Sequence, residues 1–263
     1  MSGNLHILIP DRKDILTSSI ASQNDVLRVL LSTPETTNFL LSELKMVHFT
    51  VNQVLYEAGD MIDYVYFPLN SIVSGLAIME DGTTLETSMV GREGIVGIST
   101  ILGSGVSRQW MWVSISGAAL QLPAKLLDKL LVQDESGLKA LLRCYRQLIT
   151  QVSQRCVCNT RHTILERLSC WLLMIHDRVG GTNLNLTQEM IASRVGARRA
   201  GITVAASMLQ SMQAIEYRRG RLHITSRDVL ENTVCECYKI IKNENRFIPP
   251  PPVEQSDYSA FSL

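Results

Sequence analysis

The period of the apolar positions changes twice along this chain. From Asp25 to Leu44 it is helical: Leu27, Leu30 and Leu31 mark a short helix over Asp25–Leu31, and Phe39, Leu40 and Leu44 mark another over Pro34–Leu44, with Thr33 and Pro34 as an N-cap and first-turn pair. From Met46 to Leu122 the period falls to two. Val47, Phe49 and Val51 alternate, and Val54–Tyr56, Tyr64–Phe67, Ser71–Met79, Thr84–Val90, Trp110–Ile115 and Ala118–Leu122 read as further strands. Turn residues separate them at Glu57–Asp60, Glu80–Gly82, Gly91–Gly94 and Ser116-Gly117. About eight short strands at this pitch predict an antiparallel barrel or jelly roll, which closes its own edges. Trp110 and Trp112, two apart, share one face and are expected in the core or a subunit interface.

Beyond Pro123 the period is helical again. A short helix over Lys125–Leu131 precedes a long one from Gly137 to about Asn159. Leu138, Leu141, Tyr145, Leu148 and Val152 recur along it at 3-4 spacing, which suits a seam between two subunits. A helix laid on its own barrel is the alternative. Thr160–Val179 reads as an amphipathic helix with Ile164, Leu165, Leu168, Trp171, Leu172 and Ile175 buried, ended by Gly180-Gly181. Asn183–Leu186 suits a short strand. Ile215–Arg218 and Leu222–Thr225 suit a hairpin turning at Arg219-Gly220, and Ser226 caps a final helix from Arg227 to about Lys242. The expected organisation is α+β: an arm over 1–21, a β-barrel sensor over 22–135, a dimerisation helix over 136–160, a winged helix-turn-helix over 161–242, and a disordered tail over 243–263 that holds Pro249–Pro252.

Leu186–Leu222 carries the most specific pattern. Counting Gln188 as first, Ile191 is fourth, Ala192 fifth, Val195 eighth, Gly196 ninth, Ile202 fifteenth and Ala205 eighteenth. Two short helices crossing steeply need this order: a small residue where the backbones approach, a Gly at the tight turn, and apolar side chains in the crossing. Thr187 is placed to cap the first helix. Arg198 and Arg199 follow the turn, where a major-groove reader places its base and phosphate contacts, and Thr203 lies one turn on. Thr187, Gln188 and the hairpin residues Arg218, Arg219 and Arg221 are candidate phosphate contacts.

Charge sharpens this picture. The net charge is zero. Between Glu35 and Glu135, however, 12 acids face 5 Lys/Arg, and between Leu186 and Arg227 seven Arg face two Glu. A basic module joined to an acidic one suits local binding of a polyanion. No apolar run reaches membrane-spanning length and no secretory leader is legible, so a cytoplasmic location is expected. The six Cys are expected as free thiols. Cys156/Cys158 and Cys235/Cys237 are each two apart on expected helices, pointing to different faces, and neither pair has zinc-type spacing, so no metal or other cofactor is expected. No nucleophile–base set, phosphate-cradling Gly loop or HExxH pattern appears, which argues against an enzyme.

The order barrel, long helix, winged helix resembles the Crp/Fnr superfamily of bacterial transcription regulators. The resemblance spans roughly residues 22–235 and is strongest in QEMIASRVGARRAGITVAASMLQ, the wing YRRGRLHI and the barrel segment VGREGIVG. It implies a homodimer on double-stranded promoter DNA, with Arg199 matching the base-reading Arg, a cyclic-nucleotide-binding-like barrel, and RNA polymerase as a further partner. In the cyclic-AMP-binding members a Gly-Glu-Leu turn and an Arg with a small residue after it hold the nucleotide. Gly97 and Arg108 match the Gly and the Arg, but Ile98 stands for the Glu and Gln109 for the small residue. A ribose hydroxyl buried without its partner costs about 1–3 kcal/mol, so the barrel is expected not to bind cyclic AMP, and the effector is unknown. Arg108 then reads as a surface arginine or a partner of Glu93. The N-terminal Cys cluster of the Fnr type is absent, since residues 1–143 hold no Cys, and His48 stands alone. The recognition helix departs too: Ala200, Gly201 and Val204 occupy places that many members fill with Glu, Thr and a second Arg. Two other readings stay open, a protein-interaction module with a vestigial helix-turn-helix and a true cyclic-nucleotide-responsive regulator.

Overall fold

Two short helices, α1 (Asp25–Leu30) and α2 (Pro34–Glu43), lie against the barrel in the computed structural model, which describes residues 19–31, 34–103, 105–132 and 134–245. The expected arm up to residue 18, the cap residue Thr33 and the expected tail from residue 246 fall outside the described residues. Asn24 begins α1 and ties it down. Its Oδ1 accepts the N–H groups of Val26 and Leu27, and its amide donates to the carbonyls of Pro68 and Gly94, so a fully buried amide is satisfied four times.

The strands are β1 (Lys45–Phe49), β2 (Val54–Tyr56), β3 (Tyr64–Pro68), β4 (Ile72–Ile78), β5 (Thr84–Val90), β6 (Trp110–Ile115) and β7 (Gly117–Pro123). They pair antiparallel in two sheets, β1-β7-β3 and β2-β6-β4-β5. Among the described residues seven strands, with isolated bridges at Met61–Val106 and Tyr66–Val96, stand where the alternation suggests about eight. Period-two alternation sorts their side chains. Phe49, Tyr56, Val73, Val90, Met111, Val113 and Ala119, from both sheets, form the barrel interior. Val65, Phe67, Leu120 and Leu122 have the other parity and pack against the helices. Trp110 and Trp112 are half-exposed on the outer face of β6, which corrects the core alternative, while Met111 and Val113 point inward.

The short helix α3 (Ala124–Leu131) leads to α4 (Glu135–Arg161), 27 residues long, whose first turn is capped by Asp134 accepting the Gly137 N–H at 3.0 Å. One face of α4 is buried through Ala140, Leu141, Cys144, Gln147 and Gln151: Leu141, Cys144 and Gln151 meet the barrel, and Gln147 donates to the Glu244 carbonyl at 2.8 Å. Gln151 clasps Met89, accepting its N–H at 2.7 Å and donating to its carbonyl at 3.0 Å. A second face, Leu138, Leu142, Tyr145, Ile149, Val152 and Cys156, stays exposed or half-exposed at strict 4-3 spacing. The exposed apolar stripe therefore differs from the expected seam positions. Leu141 is 1% exposed and belongs to the barrel contact, whereas Leu142 is 51% exposed.

The next helix, α5 (Ile164–Val179), starts four residues later than the apolar pattern suggests. α4 runs on to Arg161, His162 is extended, and Thr163 with Glu166 forms a reciprocal capping box. Gly180 closes α5 at φ 64°. The helix-turn-helix follows as β8 (Asn183–Asn185), α6 (Gln188–Val195), α7 (Arg199–Ser211), β9 (Ile215–Arg218) and β10 (Arg221–Ile224), with strand order β8-β10-β9. The expected single final helix is two, α8 (Arg227–Thr233) and α9 (Glu236–Glu244), because the chain turns extended at Val234 and Cys235. The core of this half continues into the barrel through Ile72 and Met89. No described helix is long and apolar enough to cross a membrane.

Candidate nucleic-acid interface

The helix-turn-helix is built as its spacing requires. The Thr187 hydroxyl accepts the Met190 N–H at 3.2 Å and starts α6. Ile191, Ala192, Val195, Ile202 and Ala205 are all buried in the crossing. Gly196 ends α6 at φ 69°, and a Cβ there would lie 3.0 Å from Leu85 and 3.2 Å from Arg167, so both backbone conformation and space demand glycine. Arg167 of α5 donates to the carbonyls of Val195 and Gly196 and holds the turn from behind.

Arg198 is the N-cap of α7 in extended conformation, and Arg199 is its first residue; both are exposed. The structure brings three predicted residues together, because the Thr203 hydroxyl donates to Gln188 Oε1 at 3.0 Å and lies 3.1 Å from the Arg199 carbonyl. Val204 and Met208 extend the exposed face of α7, 62% and 44% exposed. The wing stands beside it. Tyr217 donates to the Leu186 carbonyl at 2.9 Å; burial pushes its pKa up, and the Arg199 guanidinium nearby works against that.

Arg219 at φ 51° and Gly220 at φ 77° make the two-residue hairpin turn with both central residues left-handed. This register sets Arg218 directly opposite Arg221. Like charges opposite each other on a ribbon are destabilising, and an anion between them removes that cost. Arg218, Arg219 and Arg221 with Asn183, Glu216 and His223 line an open groove of about 800 Å³. Among the described residues, none of the five arginines 198, 199, 218, 219 and 221 makes an ion pair.

Two of the seven arginines that make this segment basic face the other way, which corrects the charge reading. Arg227 pairs with Asp177 at 2.7 Å and Glu231 at 3.0 Å. Arg194, 5% exposed, points at Glu86 of the barrel strand β5, 3.9 Å away. Glu86 itself is 1% exposed on β5 and gathers four elements. It accepts from Ser74 of β4 at 2.5 Å and from the indole of Trp171 on α5 at 3.0 Å, and it pairs with Arg155 of α4 at 3.4 Å. Arg155 also donates to the backbone carbonyls of Glu86 and Arg194. Thr84 and Ser193 add a hydroxyl contact at 2.8 Å between barrel and α6. Reading the chain by segments misses this junction. Its one signal is a lone carboxylate within an otherwise uncharged strand.

The candidate ligand residues of the barrel do not converge. Gly97 sits at φ 93° before the turn Ile98–Thr100, against Ile62 and Val65. Arg108 is exposed. Its suggested partner Glu93 pairs instead with Arg178 at 2.7 Å, a correction that leaves the surface-arginine reading. The Gln109 amide accepts from Thr87 at 2.9 Å and lies 3.4 Å from the Ser88 hydroxyl, packed onto Gly75, where a Cβ would come 2.5 Å from its Nε2. His48 is an exposed strand residue.

Residues 166–233 match the Crp-like helix-turn-helix domain. No curated protein matches the chain in sequence. Among solved structures, the chain is similar to FixK2 from Bradyrhizobium japonicum at 17% identity and a TM-score of 0.62, over 73% of this chain and 98% of that one. A CRP-family transcriptional regulator from Thermus thermophilus aligns at 15% and 0.59, over 71% and 95%. The c-di-GMP responsive global regulator CLP of Xanthomonas campestris aligns at 15% and 0.56, over 74% and 100%.

Proposed function

We propose that this chain, which has the fold of the Crp/Fnr regulators and a Crp-like helix-turn-helix domain, binds promoter DNA as a homodimer. In this reading α7 enters the major groove and the wing rests on the phosphate backbone. One observation carries it: the five exposed arginines at the start of α7 and on the wing make no ion pair among the described residues, and two of them are directly opposed. Arg199 reads a base edge, and Arg198 and the wing arginines position the duplex. Val204 suits contact with a thymine methyl. The exposed 4-3 stripe of α4 supports the dimer, which would set two recognition helices on two half-sites.

The barrel acts on this output through Glu86, because β5, α4, α5 and α6 meet there. A signal that moves β5 or α4 shifts the population of helix-turn-helix orientations. The filled interior and the anchored Gln109 support a barrel that does not take cyclic AMP. Isothermal titration with cyclic AMP should show no heat of binding, and micromolar affinity would overturn that part of the reading. The exposed apolar stripe Val204, Met208 and Met212 favours a second reading, in which α7 docks on a protein. Capture and sequencing of genomic DNA on the purified protein separates the two. Enrichment of a common two-fold symmetric sequence supports the regulator, and unselective recovery supports the docking surface.

A further inference from the structure

We propose that Cys158, His162, Cys235 and Cys237 form a closed Cys3His site for one tetrahedral, thiophilic divalent cation, zinc by its ligand set and geometry, at the junction of α4, α5 and α9. The four ligand atoms lie within 4.8 Å of one another. Cys158 Sγ is 3.6 Å from Cys235 Sγ, and Cys237 Sγ is 3.6 Å from His162 Nδ1. A tetrahedron with zinc–sulfur bonds of about 2.3 Å and a zinc–nitrogen bond of about 2.0 Å has edges of roughly 3.5–3.8 Å. Both observed edges match. A cubane iron–sulfur cluster puts each thiolate on a different iron around a bulky core, which four ligand atoms this close together do not leave room for.

Local conformation explains how two pairs with no zinc-type spacing converge. Cys158 and His162 are four apart at the end of α4, so they share a face. Cys235 is the extended N-cap of α9, not a helical residue, and Cys237 lies in the first turn. The change from extended to helical backbone between them turns both thiols to the same side. A helix through 235 and 237, as the apolar pattern suggests, would point them apart.

The surroundings are those of a structural metal centre. All three cysteines are buried, at 6%, 4% and 1% exposure, so four protein ligands would close the coordination sphere. His162 presents Nδ1 to the cluster, and its Nε2 lies 3.4 Å from the Glu236 carboxylate. A ligating histidine commonly gives its other ring N–H to a carboxylate, which fixes tautomer and ring orientation. Binding releases thiol protons to solvent and changes no oxidation state. The cation would tie His162, the break between α4 and α5, to the C-terminal helix, and so fix how the DNA-binding half leaves the long helix.

The test uses the full chain, purified under reductant, loaded with zinc and passed through gel filtration. Elemental analysis should return one zinc per chain. Cobalt in its place should give the intense visible bands of tetrahedral coordination with thiolate charge transfer in the near ultraviolet. Zinc should protect Cys158, Cys235 and Cys237 from alkylation in the wild-type chain, and chelation should expose them, a readout that needs no variant to fold. Cys237→Ser should lose the bound metal, while Cys156→Ser, an exposed thiol outside the site, should keep it. Substoichiometric zinc after loading, six-coordinate cobalt spectra, or alkylation rates indifferent to zinc would each overturn the proposal.

Discussion

The two faces of the helix-turn-helix use the same residue type in opposite ways. Arg194, at the end of α6, is buried and held against Glu86, with Arg155 and Trp171 completing the junction. Arg198, four residues on, is exposed and makes no ion pair among the described residues. Buried charge must be compensated within the fold, because an unpaired ion in a dry site costs several kcal/mol. An exposed guanidinium carries no such demand, so its partner can come from outside. The inner arginines therefore belong to the architecture, the proposed reading assigns the outer ones to a ligand, and substitution should separate them cleanly.

The largest effect is expected on the inner face. Glu86→Ala leaves the buried Arg194 and the largely buried Arg155 without their carboxylate and Trp171 without its acceptor, while Ser74 keeps the Ser114 hydroxyl at 2.6 Å. Breaking a buried pair by removing one partner costs about 3–5 kcal/mol, and urea denaturation should show a loss of that order. A loss under about 1 kcal/mol would place Glu86 among solvated ion pairs and dissolve the contrast. Glu86→Gln keeps the acceptor for Trp171 and should lose less.

On the outer face the expectation inverts. Arg198→Ala with Arg199→Ala should change stability by no more than about 0.5 kcal/mol, as for ordinary surface sites. Specific DNA affinity should fall by about 1–3 kcal/mol for the base-reading contact, with a further loss from the phosphate contact. Fluorescence anisotropy on a captured site measures both. Undiminished binding by a folded variant would sink the assignment of α7 as the reading head.

How far the chain can be read without its structure follows the same division. The helix-turn-helix spacing, the Thr187 cap and the Arg219-Gly220 turn are local, and local rules place them. α4 is legible as a helix, but its exposed apolar stripe includes Leu142 and not Leu141, since apolar spacing alone does not say which of the two the barrel claims. The Thr163–Glu166 capping box is present as a pattern, yet the apolar run crossing it hides the break. Nothing local reveals the Glu86 junction, because Ser74, Glu86, Arg155, Trp171 and Arg194 come from five separate elements. The Cys/His cluster is concealed for the same reason: its members are 77 positions apart in the chain at Cys158 and Cys235.

The wing gives a smaller and more graded test. Arg218 and Arg221 sit opposite each other, so Arg221→Gln should leave the hairpin as stable or slightly more so, by a few tenths of a kcal/mol. DNA binding should weaken evenly across sequences. Each lost phosphate contact should lower the slope of log affinity against log salt by about 0.9. Loss of sequence preference instead of salt slope would assign the wing to base reading.

The smallest effect concerns Arg227, the other inner arginine. It lies 2.6 Å from the His176 ring nitrogen and pairs with Asp177. Burial first, and the Arg227 guanidinium second, hold the His176 pKa below its usual value, with Asp177 pulling the other way. The folded state thus favours neutral imidazole more than the unfolded chain does. Its stabilising contribution is present above the unfolded pKa of about 6.5 and is lost as pH falls through the lower folded value. Thermal midpoints should decline on acidification from about pH 7 to about pH 5, and His176→Gln should make that decline shallower. Arg227→Ala should raise the His176 pKa toward its ordinary value in a nuclear magnetic resonance titration. If it does not, the inner arginines shape packing alone and leave the protonation of their neighbours untouched.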